Sequence, residues 1–121
     1  MLLLEKSVKF SNDTKLLIFE RCQGVCEMCG MPAMDPQFHH RRPRGMGGTS
    51  RKETGSPANA LYVHPSCHAS IESNRSSSLE NGYLVSQSAD PASVMVLRWG
   101  VWVKLNEDGS VTGAENQPII N

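Results

Sequence analysis

Seven of the eight cysteines and histidines in this chain fall into three short clusters. These are Cys26/Cys29, His39/His40 and His64/Cys67/His68, and only Cys22 stands apart. A CxxC separated by 34 residues from an HxxC supplies four soft ligands in two paired turns, which suits a closed tetrahedral zinc site. Cys26, Cys29, His64 and Cys67 are therefore the expected structural zinc ligands. Buried thiols and a satisfied histidine would explain one such residue easily, but two matched pairs poorly. Disulfides fit badly too, because pairing within the CxxxCxxC run closes only tiny loops. Cys22 is expected to pack against the first helix as a small hydrophobe, with substitution for a zinc ligand as the alternative.

The composition makes such a metal useful. With 121 residues, 39% hydrophobic and 6% aromatic, the chain has material for one small domain with a thin core. Structural zinc contributes on the order of 10–16 kcal/mol, against a net domain stability of about 5–15 kcal/mol. Its removal should melt the N-terminal two-thirds. The three leucines of MLLLEKSVKF are too few for a signal or a membrane span, so a cytosolic protein without membrane attachment is expected. Twelve basic and twelve acidic residues cancel overall, yet residues 39–52 carry Arg41, Arg42, Arg44, Arg51 and Lys52 with no acid among them. A focused basic loop of this kind points to a phosphate-bearing partner, the alternative being a solvated loop with no partner.

Ser11, Asn12 and Asp13 offer N-caps for a helix over Thr14–Cys22, with Leu16, Phe19 and Ile18 as its apolar face and Gly24 at its end. Cys26–Gly30 reads as a tight turn, Gln37–Arg42 as a short strand, and residues 43–58 as a Gly/Pro/Ser-rich loop. Asn59–His64 reads as a strand and Ser66–Arg75 as a second helix. Ser76–Ser78 has the composition of a linker, and Tyr83–Ser86 that of a strand. Met95, Leu97, Trp99, Val101, Val103 and Leu105 alternate as one half-buried strand would, with Trp99 inward and Trp102 outward. Asn106–Gly109 is a turn signal before a return strand from Val111. The expected organisation is an arm over residues 1–12, a core domain over 13–76, a β extension over 77–113 and a loose tail over 114–121.

Zinc leaves His39, His40 and His68 unspent. On a helix, Cys67 and His68 point about 100° apart, so one can face the metal while the other faces away. Glu72 and Arg75 then lie on the face of His68. That row suits either a metal-and-phosphate surface or an ordinary solvated Glu–Arg pair.

With the clusters laid out, the chain resembles HNH endonucleases, with His40, Asn59 and His68 as the H, N and H. The segments CEMCG, HHRRPRGMGG and NALYVHPSCHASIE are similar to small free-standing HNH proteins of bacteriophages, over about Thr14 to Arg75. The resemblance implies an α+β fold: a zinc-stabilised ββα-metal core with an N-terminal helix and a C-terminal β-hairpin extension. It implies that His40 is the general base, that His39 and His68 bind a catalytic divalent ion, and that Asn59 fixes the loop aiming His40. Glu72 falls where some members have a further histidine and would complete the ligand set directly or through water. Two departures stand out: His64 replaces a zinc cysteine, and His39 stands where many members have Asp. Imidazole in place of carboxylate leaves Mg, Mn, Ni and Zn open as the catalytic ion.

The resemblance further implies DNA as the partner, work beside a phage terminase, and a host-cytoplasmic location. Phosphodiester hydrolysis needs an activated water and charge neutralisation at phosphate. Adjacent strand residues point to opposite faces, so His39 and His40 divide naturally into ligand and base. Arg41, Arg42, Arg44, Arg51, Lys52 and Arg75 would hold flanking phosphates, and Gly45, Gly47 and Gly48 would let backbone approach DNA closely. The rival expectation is a zinc-stabilised nucleic-acid-binding module without catalysis, indifferent to His40. A third is a structural zinc protein that binds another protein through its tryptophans.

Overall fold

The computed structural model describes residues 9–43 and 52–113. The expected arm before residue 9, the glycines and arginines of residues 44–51, and the tail from residue 114 lie outside the described residues.

Helix α1 spans Asn12–Cys22. The Ser11 hydroxyl accepts the Thr14 N–H at 3.1 Å, and Gln23 closes the helix in the left-handed region. Its inward face differs from the expected one. Ile18, Arg21 and Cys22 are buried, whereas Leu16 and Phe19 are 57% and 45% exposed. A helix of such low amphipathicity is oriented by its partners, here the buried Arg21–Glu27 ion pair together with the buried Ile18 and Cys22 side chains.

Strands β1 (Gln37–His40) and β2 (Ala60–Val63) form an antiparallel pair with His39 opposite Leu61 and His40 opposite Ala60. Helix α2 (Pro65–Ser73) follows β2 directly, with Pro65 at its first turn. The segment expected to be a linker is instead helix α3, Arg75–Asn81. Asn74 interrupts the two helices, and the Ser78 hydroxyl donates to the Ile71 carbonyl at 2.9 Å, which folds α3 back on α2. Tyr83, Leu84 and Val85 are buried as a strand would be, yet form no strand. Their amides go to the Ser78 carbonyl and, from Val85, to the Arg41 carbonyl at 2.8 Å.

The last third is a three-stranded antiparallel sheet: β3 (Val96–Arg98), β4 (Val101–Leu105) and β5 (Val111–Gly113). The single alternating strand expected over residues 95–105 is thus a hairpin. Trp99 and Gly100 both have positive φ (54° and 79°), as a type I′ two-residue turn requires, and Arg98 pairs with Val101. A two-residue turn reverses the parity of the inward positions. Val96 and Arg98 therefore face in together with Val103 and Leu105, while Leu97 does not. The turn at Asn106–Gly109 and the return strand from Val111 occur as expected.

The chain is α+β. Its core joins Ile18 and Cys22 of α1, Leu61 and Val63 of β2, Ile71 of α2, Leu84, and Val96, Val103 and Leu105 of the C-terminal sheet. No helix among the described residues is long and apolar enough to cross a membrane.

Candidate metal centres

Cys26 and Cys29 sit on a knuckle closed by the Cys26 N–H to Met31 carbonyl bond (2.8 Å) and the Gly30 N–H to Cys26 carbonyl bond (2.9 Å). Gly30 has φ +82°, a turn conformation that costs glycine little. His64 is the N-cap residue of α2 and Cys67 lies in its first turn. The four ligand atoms all lie within 4.8 Å of one another. Cys29 Sγ is 3.3 Å and Cys67 Sγ 4.0 Å from His64 Nδ1. A tetrahedral zinc with Zn–S of about 2.3 Å and Zn–N of about 2.0 Å spaces its ligand atoms about 3.5–3.8 Å apart, so the cluster fits. His64 Nε2 lies 2.9 Å from the Pro32 carbonyl. Donation there fixes the tautomer with Nδ1 as the ligand atom.

The thiols are also electrostatically poised. Burial pushes the Cys26 thiol up, but the backbone N–H groups of Cys29, His64 and Met28 outweigh it and bring its pKa down to about 7. Burial, and then Cys26 and Cys29 beside it, push Cys67 up to about 12. One thiolate forms readily and the next is opposed by it, a conflict that a bound cation removes. These four residues form a Cys3His cluster able to hold a structural metal such as zinc. Cys22 is buried outside this group, its pKa raised to about 11 by burial, as a packing thiol.

The second group is His39, His68 and Glu72, whose ligand atoms likewise lie within 4.8 Å of one another. His39 and His68 face each other between β1 and α2 with ring centroids 4.9 Å apart. His39 is 1% exposed and its Nε2 lies 2.8 Å from the Tyr83 carbonyl, while His68 Nδ1 lies 2.7 Å from Gln37 Oε1. With both those nitrogens protonated, His39 Nδ1 and His68 Nε2 remain as donors to a cation. Burial, only partly opposed by the Tyr83 carbonyl, lowers the His39 pKa to about 4, so the ring is neutral at pH 7. Glu72 is exposed and paired with Arg75 at 3.0 Å, both side chains more than half exposed.

Comparison with protein-family models, curated proteins and solved structures finds no match.

His40 leaves the opposite face of β1. It stacks on Phe10 with centroids 4.2 Å apart and an interplanar angle of 17°. Together with Lys9, Lys15, Gln37 and Phe38 it lines a groove of about 240 Å³. Gln37 belongs to both sides, lining that groove and holding His68. Asn59 is fully buried and clamps the chain just beyond His40. Its Oδ1 accepts the Arg42 N–H at 2.7 Å, and its Nδ2 donates to the carbonyls of Thr54 (2.9 Å) and Arg42 (3.2 Å). Its own carbonyl accepts the Arg41 N–H at 2.8 Å.

The expected phosphate-binding arginines require correction. Arg41 is 0% exposed, and its guanidinium donates to the carbonyls of Gly82, Ala58, Pro91 and Val94 at 2.8–3.0 Å. Burial, then the charge of Arg21, lowers its pKa to about 10, which leaves it cationic at neutral pH. It ties the hairpin to the C-terminal segment and cannot reach a surface phosphate. Arg42 is 2% exposed and donates from Nη1 to the Ala89 carbonyl at 2.8 Å, so it is no surface contact either. Lys52 and Arg75 are exposed. Arg44 and Arg51 lie outside the described residues.

Glu27 carried no signal in the sequence beyond its place inside the CxxC. It is 0% exposed and binds Arg21 Nε (2.8 Å) and Nη2 (2.6 Å), Arg98 Nε (3.0 Å) and the Tyr62 N–H (3.0 Å). Trp99 Nε1 donates to the Cys26 carbonyl at 2.8 Å, and the Arg98 guanidinium lies 3.9 Å from its ring centroid. The C-terminal hairpin is thereby bolted to the cysteine knuckle.

Proposed function

We propose that this chain is a metal-dependent endonuclease of the HNH type that hydrolyses phosphodiester bonds in DNA with low sequence specificity. In this proposal zinc in the Cys3His cluster is structural, and the hairpin with α2 is a ββα-metal core. The observation that carries it is the convergence of His39, His68 and Glu72 between β1 and α2, next to a His40 whose following residues are clamped by Asn59. A divalent cation held by His39, His68 and Glu72 would supply charge neutralisation at the scissile phosphate and the leaving oxygen.

The chain's own residues account for the rest. His40 takes a proton from a water whose oxygen bonds to phosphorus, the P–O3′ bond breaks, and the 3′ oxygen leaves as a hydroxyl after protonation from solvent. General-base catalysis is worth about 10²–10⁴-fold. Gln37 holds the His68 ring in its ligand orientation, and Tyr83 does the same for His39 through its carbonyl. Lys9 and Lys15 place positive charge along the groove that His40 lines.

The rival is a zinc-stabilised nucleic-acid-binding module without catalysis. It is favoured by one observation, the stacking of His40 on Phe10 away from the His39 face. Plasmid nicking by purified protein separates the two. Cutting should require a divalent ion among Mg, Mn, Ni and Zn, stop with EDTA, and fall by about 10²-fold or more in His40→Ala. Undiminished cutting in His40→Ala removes His40 from the chemistry. Retained DNA binding without cutting under any ion establishes the binding module instead.

A further inference from the structure

The two sides of β1 differ in chemistry. His39 faces His68, while Phe38 and His40, two residues apart, share the other side as strand alternation requires. There the open groove of about 240 Å³ is lined by Lys9, Phe10, Lys15, Gln37, Phe38 and His40. Three of the six are rings, two are cations and none is acidic. Sites that enclose a drug-sized ligand span about 300–1,000 Å³. This smaller space suits one ring system laid against a surface.

The rings are set before anything binds. Phe10 is buried and stacks on His40. Phe38 packs partly buried against the core and is braced edge-on by Tyr62, its partner across the sheet, at 5.5 Å and 87°. The Lys15 ammonium lies over the Phe38 ring, 5.3 Å from the centroid, so that face meets a lysine and not the core. A surface cation–π contact is weaker than the stacking of a base on an aromatic ring. The flexible lysine stem lets the ammonium move to a phosphate when a base takes its place.

An aromatic platform flanked by cations, with no acid among its lining residues, favours a group that is planar and anionic at once. A nucleotide is both. In a duplex both faces of each base are already stacked, so a base reaches such a ring only where the strand is unpaired.

We infer that this groove seats an unpaired nucleotide of single-stranded DNA, its base on Phe38 and its phosphates at Lys9 and Lys15. The inference rests on DNA being the partner, as proposed above, and names the form of DNA; it does not require cleavage. Stacking tolerates any base, in keeping with low sequence specificity.

The test is fluorescence anisotropy with the full zinc-loaded chain and no free divalent ion. The probes are a short labelled oligothymidylate, a duplex of equal length and an abasic strand of equal length. The oligothymidylate should bind more tightly than the duplex, and roughly tenfold or more tighter than the abasic strand. Phe38→Leu keeps apolar bulk beneath Lys15 and should erase the advantage over the abasic strand. Lys15→Gln should reduce the slope of log K against log salt by about 0.7. Equal binding of intact and abasic strands, or an undiminished advantage in Phe38→Leu, overturns the site. Should Phe38→Leu not fold, the wild-type comparison of intact with abasic strand decides alone. Tighter binding of the duplex overturns the unpaired form, and tighter binding of an RNA strand of equal length overturns the choice of DNA.

Plasmid nicking that persists beside any of these failures keeps the endonuclease and loses only the groove. Single-strand preference without nicking keeps the groove and loses the endonuclease. No binding to any probe removes the groove.

Discussion

Glu27→Gln tests how the cysteine knuckle, α1 and the C-terminal sheet are held together. The side chains are nearly the same size, so no cavity forms and the loss is electrostatic. The carboxylate accepts three bonds from two guanidinium groups and one from the Tyr62 N–H, all at 2.6–3.0 Å and fully buried. Glutamine keeps one acceptor oxygen, turns an NH2 toward donors, and leaves two cations without a counter-charge. Bonds to charged groups are worth about 1.5–3 kcal/mol each. Four of them sharing one carboxylate do not add independently, however. Arg21 also keeps the Pro57 and Ala60 carbonyls, and Arg98 keeps the Arg21 carbonyl. Breaking a buried ion set by removing one partner costs about 3–5 kcal/mol. We expect that full range, against a total stability of about 5–15 kcal/mol.

Urea denaturation of the zinc-loaded protein reads the loss, followed by the fluorescence of Trp99, whose indole touches both Arg98 and the Cys26 carbonyl. Exposed Glu80→Gln is the control and should change stability by less than about 0.5 kcal/mol. Replacing Arg21, Glu27 and Arg98 together by apolar residues should cost less than Glu27→Gln alone, because no buried charge is then left unmatched. A loss below about 1 kcal/mol in Glu27→Gln would refute the reasoning.

Stripping metal from the Cys3His cluster with a strong chelator should abolish cooperative melting by circular dichroism, since structural zinc is worth about as much as the whole domain; a sharp melt that survives stripping refutes this. Gly82→Ala should destabilise by about 2–5 kcal/mol in the same urea assay, from a φ of +81° and a Cβ that would overlap the Met95 carbonyl and lie 2.7 Å from the Val96 Cα. Gly109→Ala meets only the Leu17 side chain and should cost less. The His39 ring should stay neutral in an NMR titration down to about pH 5, because burial lowers its folded pKa to about 4. Since that value lies below the unfolded one of about 6.5, the neutral ring contributes stability above pH 6.5 that is lost as pH falls toward 4. Titration near pH 6.5 would contradict its burial.

Some of this was legible because paired motifs travel with their local geometry. CxxC and HxxC each fit a single turn, so Cys26, Cys29, His64 and Cys67 could be grouped before any fold was known. His39, His68 and Glu72 were grouped by strand and helix periodicity together with the family likeness, and the structure brings the three together. The parity of the C-terminal sheet was not legible, since a positive φ at a tryptophan leaves no sign in hydrophobic alternation. Ser76–Ser78 reads as a linker from composition, yet it lies in α3, where Ser78 is buried and its hydroxyl bonds the Ile71 carbonyl across to α2.

The sequence by itself determined which residues could share a metal and where the strands of the first hairpin lie, because ligand chemistry and side-chain period act over a few positions. Only the tertiary structure decided which charges face water. Arg41 and Arg42 look like a phosphate-binding surface beside His40, and Glu27 is only one residue of a segment that reads as a tight turn. Long-range packing instead brings carbonyls from residues 58, 82, 91 and 94 onto Arg41, and brings Arg21 and Arg98 onto Glu27. Burial of a charge depends on partners 6 to 71 residues away, and no local pattern encodes them.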